Sequence, residues 1–453
     1  MSPTSEVVMT AIVCMLAVLS IALKPAHAIV AYILLAQFDF GIAASYADTS
    51  LGSETALKAI VIPTILLWRI RPIELMPSGC VGLRNCWLAF VGYAALAAVW
   101  SPYRLSAAKM IGYFYAYTAL FVIFTVAWRR KWLRSESILL IGALTLLFGI
   151  IQTYFLGNPY GDPDYDNRFT GFTGAQSFSP FLVSVAILLV LCVRRTVSGM
   201  FLAGLAVVGV LLSGSRYNVL GLFWVILVAG IAYTQRRHQN FSFGGLAKNL
   251  VIAVGVAALV GSAVLYSLPK NRVNEMLDVF TTRNASVEDV RTVAWRFTIY
   301  AEALDELSSR GWRELLVGSG TSSAATVAIR TGYFEAATVD YNRCMHDEFL
   351  RCVYEWGAIG LLSFVAFLWL GARLSWKLAR FGRSPQAWAC LAVAGPLLLG
   401  LVVENILALG ASAAGVGYCL IFSSLVAQLR PAPSPAEVRA WKPLGVSPLG
   451  ATR

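Results

Sequence analysis

The feature that most restricts this chain is a succession of apolar runs, each close to the length that crosses a bilayer, separated by short basic clusters. A spanning helix needs about 20 predominantly apolar residues. Runs of this kind lie near 7–23, 27–44, 55–70, 86–100, 106–128, 136–156, 177–193, 199–213, 215–234, 247–268, 357–373, 387–404 and 407–427. They amount to roughly twelve or thirteen transmembrane helices. Composition agrees, because 58% of the 453 residues are hydrophobic and 13% charged, whereas soluble domains carry about a quarter charged. The expected fold class is an all-α integral membrane protein. A polytopic membrane domain covers 1–430 and a Pro-rich tail covers 431–453. The first run has no basic n-region and no small-residue cleavage site, so it is expected to stay as a membrane helix.

The net charge of +12 is scattered between apolar runs, which speaks against nucleic acid as a partner, since that would call for one basic patch. The clusters are Arg69 and Arg71; Arg129, Arg130, Lys131 and Arg134; Arg194 and Arg195; Arg236 and Arg237; and Arg373, Lys377, Arg380 and Arg383. All fall on one side if the spans alternate, and the positive-inside bias makes that side, with the tail, cytoplasmic. Loops 157–176, 213–217 and the long polar segment 269–345 then face outward. The eight cysteines sit mostly in apolar stretches without ligand spacing and read as small core residues.

Most of the unusual chemistry lies in the outward segments. Segment 269–345 is long enough for a structured cap. Ser286 and Asp289 resemble a capping box opening a helix to about Ser309, with Gly311 as its stop. On it Val290, Val293, Ala294, Phe297, Ala301 and Leu304 form one apolar face, and Arg291, Trp295, Thr298 and Glu302 another stripe. Of the three histidines, His346 alone is outward and inside a patterned stretch. If 342–360 is helical, His346 stands on one face above Gly357 and Gly360, whose missing side chains admit a close neighbour. It either caps that helix or handles a proton near neutral pH.

Outward arginines are not explained by topology and need local partners. Arg168, Arg216, Arg291 and Arg296 are of this kind, and converging guanidinium groups hold phosphate oxygens without a metal. Asp162, Asp164 and Asp166, beside Pro159, Gly161 and Pro163, read as a solvated turn rather than a cation site.

These residues together resemble the O-antigen ligase-like superfamily, which includes lipopolysaccharide O-antigen ligases and Wzy-type polymerases. His346 followed by Gly357 and Gly360 is similar to its histidine motif, Ser215-Arg216 to its Ser-Arg at a helix start, and Gly318-Ser-Gly320 to its Gly-x-Gly. Its arginine and aromatic, four residues apart, can be laid on Arg291 and Trp295 or on Arg296 and Tyr300. The second register gives the better spacing to Gly318. Arg168-x-x-Gly171 is a looser match, and Asp347 stands where ligases usually have Asn, Ser or Gln, which tilts the reading toward a polymerase.

The resemblance implies a GT-C-like fold in a bacterial inner membrane, with the active site facing the periplasm. It implies metal-independent, inverting transfer from an undecaprenyl-diphosphate glycan, with no cofactor. His346, Arg216 and Arg296 would be catalytic. Arg168, Arg291, Ser215, Trp295 and Tyr300 would bind substrate, and Gly318, Gly320, Gly357 and Gly360 would be structural. Partners would be the polyprenyl-diphosphate-linked donor, a glycan or lipid A core acceptor, and membrane lipids. Two other readings are a transporter or flippase, for which Glu404 beside Asn405 is the clearest ionisable site near a span, and a loop that only docks on polysaccharide export machinery.

Overall fold

The computed structural model describes residues 3–38, 56–70, 80–156, 169, 171–172, 175–193, 197–237, 291–332, 345–382, 384–409 and 412–429. Among them the protein is 86% helix with no strands, as a chain must be when apolar surroundings leave backbone groups only one another as partners. In chain order the helices are α1 (Pro3–Ala22), α2 (Pro25–Leu35), α3 (Ile62–Ile70), α4 (Val81–Ala97), α5 (Arg104–Arg129), α6 (Ser135–Ile151), α7 (Ala175–Leu191) and α8 (Val197–Leu212). They continue with α9 (Arg216–Arg237), α10 (Arg291–Ser309), α11 (Trp312–Val317), α12 (Ala325–Arg330), α13 (Glu348–Gly382), α14 (Pro385–Val403) and α15 (Ala413–Ala427).

Run 247–268 and residues 39–44 of run 27–44 lie outside the described residues; each of the other predicted runs falls at least largely on a helix, as does 27–35. Five helical stretches are long and apolar enough to cross a membrane: Val81–Trp100, Arg104–Arg129, Ser135–Leu156, Glu348–Arg380 and Pro385–Val403. Six more apolar helices are shorter. Together these make eleven apolar helices among the described residues, on the predicted runs. The run 407–427 divides into a 3-10 turn, Ile406–Leu409, and α15.

Small residues let these helices approach. A Cβ on Gly221 of α9 would lie 2.7 Å from the Pro396 ring of α14, and one on Gly395 of α14 would overlap the Trp224 indole of α9. Each glycine receives a bulky side chain of the other helix, the way helices associate where lipid supplies no hydrophobic drive. α7 fills the middle of the bundle, with Phe181, Leu182, Val183 and Leu188 fully buried.

Above one end of the bundle, α10, α12 and the start of α13 enclose a second, smaller core of Ile299, Ala303, Leu307, Val327, Ala328, Met345 and Tyr354. The buried stripe of α10 is therefore Ile299, Ala303 and Leu307. The predicted apolar face is turned away, with Phe297 and Leu304 exposed. The spacing of apolar residues alone therefore does not identify the core side of this helix. α10 ends at Ser309 as expected, but Gly311 starts the next helix as its N-cap rather than stopping this one. Ser286 and Asp289 lie outside the described residues, as does the tail 431–453.

Candidate functional site

The site is assembled around two interruptions in otherwise regular helices. α14 ends at Val403, and Glu404 follows in extended conformation (φ −142°, ψ 168°). The 3-10 turn Ile406–Leu409 then carries the chain to α15. Polar side chains hold this break: the Tyr117 hydroxyl donates to the Ile406 carbonyl at 2.6 Å, and the Leu407 N–H donates to Glu348 Oε1 at 2.7 Å.

The second interruption precedes α13. His346 has φ +53°, a left-handed conformation that costs a non-glycine residue about 1–3 kcal/mol and persists only when surroundings impose it. Here they do so from two sides. The His346 N–H donates to Asn405 Oδ1 at 2.9 Å, and the Tyr300 hydroxyl donates to the His346 carbonyl at 2.9 Å. Burial pushes the Tyr300 phenol up to about 12, against the pull of nearby Arg296, so it remains a donor. Asp347 Oδ1 then accepts the Leu350 N–H at 2.8 Å, a side-chain N-cap that starts α13 at Glu348. Burial raises the Asp347 carboxyl while the Leu350 and Phe349 N–H groups hold it down.

The expectation that 346–360 forms one helical face is therefore overturned. His346 precedes the helix, and Gly357, at φ 59° and ψ −163°, breaks it inside. The glycines serve a different approach from the one anticipated. A Cβ on Gly357 would overlap the Leu316 carbonyl, and one on Gly318 (φ +79°) would overlap the Glu355 carbonyl. The close neighbour is the 316–320 backbone rather than another long helix. A Cβ on Gly320 (φ +100°) would lie 2.9 Å from the Ser101 backbone, and one on Gly360 would overlap Trp356.

His346 Nδ1 lies 3.5 Å from Glu404 Oε2, and an Arg296 guanidinium nitrogen lies 3.5 Å from Glu404 Oε1. The His346, Glu404 and Arg296 side chains are 11%, 11% and 24% exposed, mostly desolvated yet open on the arginine side. One carboxylate thus joins a histidine and an arginine from three separate elements. Arg296 and Tyr300 are one turn apart on α10, so one helix face reaches Glu404 and the His346 backbone together. At 3.5 Å Glu404 faces Nδ1 without hydrogen-bonding to it; its charge at this range favours an imidazolium electrostatically. Sequence reasoning missed Glu404 as a member of this site. Its signal was an acid next to an amide at the end of an apolar run.

Behind these residues is a buried ionic line. Glu348 Oε2 lies 3.6 Å from Arg351, Arg351 Nε lies 3.1 Å from Glu355 Oε1, and Glu355 Oε2 accepts the Ser322 N–H at 2.8 Å. Glu348 and Glu355 are 0% exposed and Arg351 is 1% exposed. This line ties the 404–409 break to the 318–324 turn. Removing one member of such a group costs about 3–5 kcal/mol because the others stay buried without their partner.

Of the other predicted site residues, Ser215 accepts the Asn218 Nδ2–H at 2.8 Å at the start of α9. Tyr217 packs against Gly400 of α14, so the opening of α9 stands beside the end of α14 that presents Glu404. Arg216 is the first residue of α9 and Arg291 the first described residue of α10, with Trp295 one turn on; the side chains of these three lie outside the described residues. Arg168 and the aspartates 162, 164 and 166 also lie outside them. Next to Arg168, Phe169 donates its N–H to the Leu212 carbonyl at 3.2 Å, and its ring fills the space over Gly149 and Gly209.

Among the described residues no group of three or more His, Cys, Asp or Glu side chains could hold a metal ion, and the described cysteines are free. No family model matches the chain, and no curated protein matches it.

Proposed function

We propose that this membrane protein transfers a polyprenyl-diphosphate-linked glycan to a sugar hydroxyl at the outer face of a bacterial inner membrane, as a polymerase of exopolysaccharide or O-antigen repeat units. The observation that carries the reading is the His346–Glu404–Arg296 arrangement, a histidine and a guanidinium drawn to one carboxylate from three elements. The positive-inside bias of the basic loops favours the extracytoplasmic side for it.

In this reading His346 Nε2 takes the proton of the acceptor hydroxyl as its oxygen bonds to the anomeric carbon. The bond from that carbon to the diphosphate oxygen breaks on the opposite face, its electron pair leaves with the diphosphate, and the anomeric configuration inverts. Glu404 compensates the charge that develops on the imidazole. Arg296 meets Glu404 through one nitrogen, and a guanidinium matches phosphate oxygens in bidentate geometry, so in this reading it also contacts the diphosphate. Arg216 would join it, with Arg168 and Arg291 as further phosphate contacts and Ser215, Trp295 and Tyr300 as neighbours of the substrate. General-base assistance is worth about 10²–10⁴-fold in rate; electrostatic stabilisation of the departing diphosphate adds to it.

Asp347 does not separate polymerase from ligase once its cap is considered, because Asn and Ser cap a helix comparably. Transfer of a finished glycan to lipid A core is therefore the alternative product of the same chemistry. The broken end of α14, with its buried acid, favours a transporter as the rival class.

One experiment addresses all three readings. Membranes from a deletion strain carrying wild type, His346→Ala or Arg216→Ala are analysed for glycan, with membrane levels of each protein matched by blot. The proposal expects normal insertion and loss of product in both variants. Single lipid-linked repeats would then accumulate for a polymerase and long lipid-linked chains for a ligase. Normal product from both variants rejects the site.

A further inference from the structure

Away from the site just described, α4, α5, α13, α14 and α15 enclose a cavity of about 230 Å³ with an almost wholly apolar lining. Surface so apolar suits hydrocarbon better than water. Its lining includes Leu83 and Arg84 at one end and Ile406 and Leu407 at the other. At the second end the Ile406 carbonyl is held by Tyr117 and the Leu407 N–H by Glu348, which leaves that backbone without polar groups to offer a headgroup. Leu88 and Leu398 on the lining are 50% and 46% exposed, so the cavity opens sideways toward the bilayer.

The open end is marked by charge. Arg84 is the charged residue of the lining, and among the described residues its guanidinium bonds only to the amide oxygen of adjacent Asn85. α13 passes this level at Gly371, where an added Cβ would touch Leu83 at 3.8 Å, and carries the exposed Arg373 and Lys377 just beyond. Trp376, 51% exposed, stands between them, as an aromatic does at a membrane interface. The basic-loop bias makes this the cytoplasmic end. Basic pockets between helices on that side suit anionic lipid headgroups.

We infer that this cavity is a binding site for one anionic glycerophospholipid of the cytoplasmic leaflet, with an acyl chain in the cavity and the headgroup phosphate at Arg84. A guanidinium matches phosphate oxygens in bidentate geometry, and the chain fills space that side chains leave empty. The site would fasten α4 to α13 and α14, the helices that present the break at Glu404. It does not depend on the glycan-transfer reading.

The test uses the full-length protein in nanodiscs of equimolar phosphatidylglycerol and phosphatidylcholine, transferred to mild detergent and weighed by native mass spectrometry. Wild type is expected to retain one phosphatidylglycerol in preference to phosphatidylcholine. Gly371→Leu, which fills the cavity, is expected to lose the retained lipid. Arg84→Gln is expected to keep a lipid but lose about tenfold of the preference for the anionic one, the worth of one charge-assisted contact. His346→Ala is expected to bind lipid as wild type does, which keeps lipid retention separate from catalysis. Gel-filtration profiles confirm that each variant is folded. Retention of no lipid by wild type, equal retention by the folded Gly371→Leu protein, or unchanged selectivity in Arg84→Gln would overturn the proposal. Retention of a polyprenyl phosphate from the cell membrane in place of the glycerophospholipid would overturn it too.

Discussion

At the scale of single residues, Glu404 does two things at once, facing the imidazole of His346 and partnering Arg296. Glu404→Gln keeps the shape and removes the charge, so turnover should fall by about 10²–10⁴-fold while donor KM changes little. A transfer assay with a lipid-linked donor would check this; an equal rise in KM with intact turnover would instead make Glu404 a binding residue. Glu306 carries a pH dependence of its own. Burial would raise its carboxyl, but hydrogen bonds from Arg310 and Tyr354 and the charges of Arg310 and Arg330 outweigh this and hold it below its ordinary 4.5. A depressed acid contributes stability that is complete above the unfolded-state value and is lost as pH falls through the folded-state value. The cap of α10 and α12 should therefore loosen below about pH 4.5, and Glu306→Gln should flatten that part of the profile in hydrogen exchange.

The breaks govern the scale of elements. α13 begins where it does because Asp347 caps it, and it bends at Gly357 because only a residue without a side chain fits there. Asp347→Ala should cost about 1 kcal/mol of stability while Asp347→Asn costs little, measurable as a shift in thermal unfolding in detergent. Gly357→Ala meets a left-handed backbone and a carbonyl at once, so the penalty should exceed the roughly 1–3 kcal/mol of the conformation alone. It should appear as lowered membrane levels rather than altered kinetics in the protein that survives. Gly318, facing Gly357 across the same contact, should behave alike.

Across the whole molecule, the line Glu348–Arg351–Glu355 connects the break after α14 to the turn at 318–324, with both ends bonded to backbone. Two carboxylates share one guanidinium out of solvent. Arg351→Leu leaves both acids buried without it and should destabilise the fold by about 3–5 kcal/mol. The paired change Glu355→Gln with Arg351→Met should recover part of that loss, because the cost lies in unpaired charge rather than in missing contacts. Thermal unfolding of the three purified proteins distinguishes these outcomes.

Where the helices lie was legible in the chain, because hydropathy is local: each run of apolar side chains excludes water over its own length, and the described runs are largely helical. His346 stood out as the outward histidine in a patterned stretch, whereas Ser215 and the Arg296–Tyr300 register were suggested only by the resemblance to a family. Tertiary structure alone decided what these residues meet. Glu404 and Asn405 are remote from His346 in the chain, with His346 and Asn405 59 positions apart, and no local pattern announces which buried acid will find which buried base. The same holds for the orientation of α10. Phe297 and Leu304 turn outward, while packing of Ile299, Ala303 and Leu307 decides which face brings Arg296 to the site.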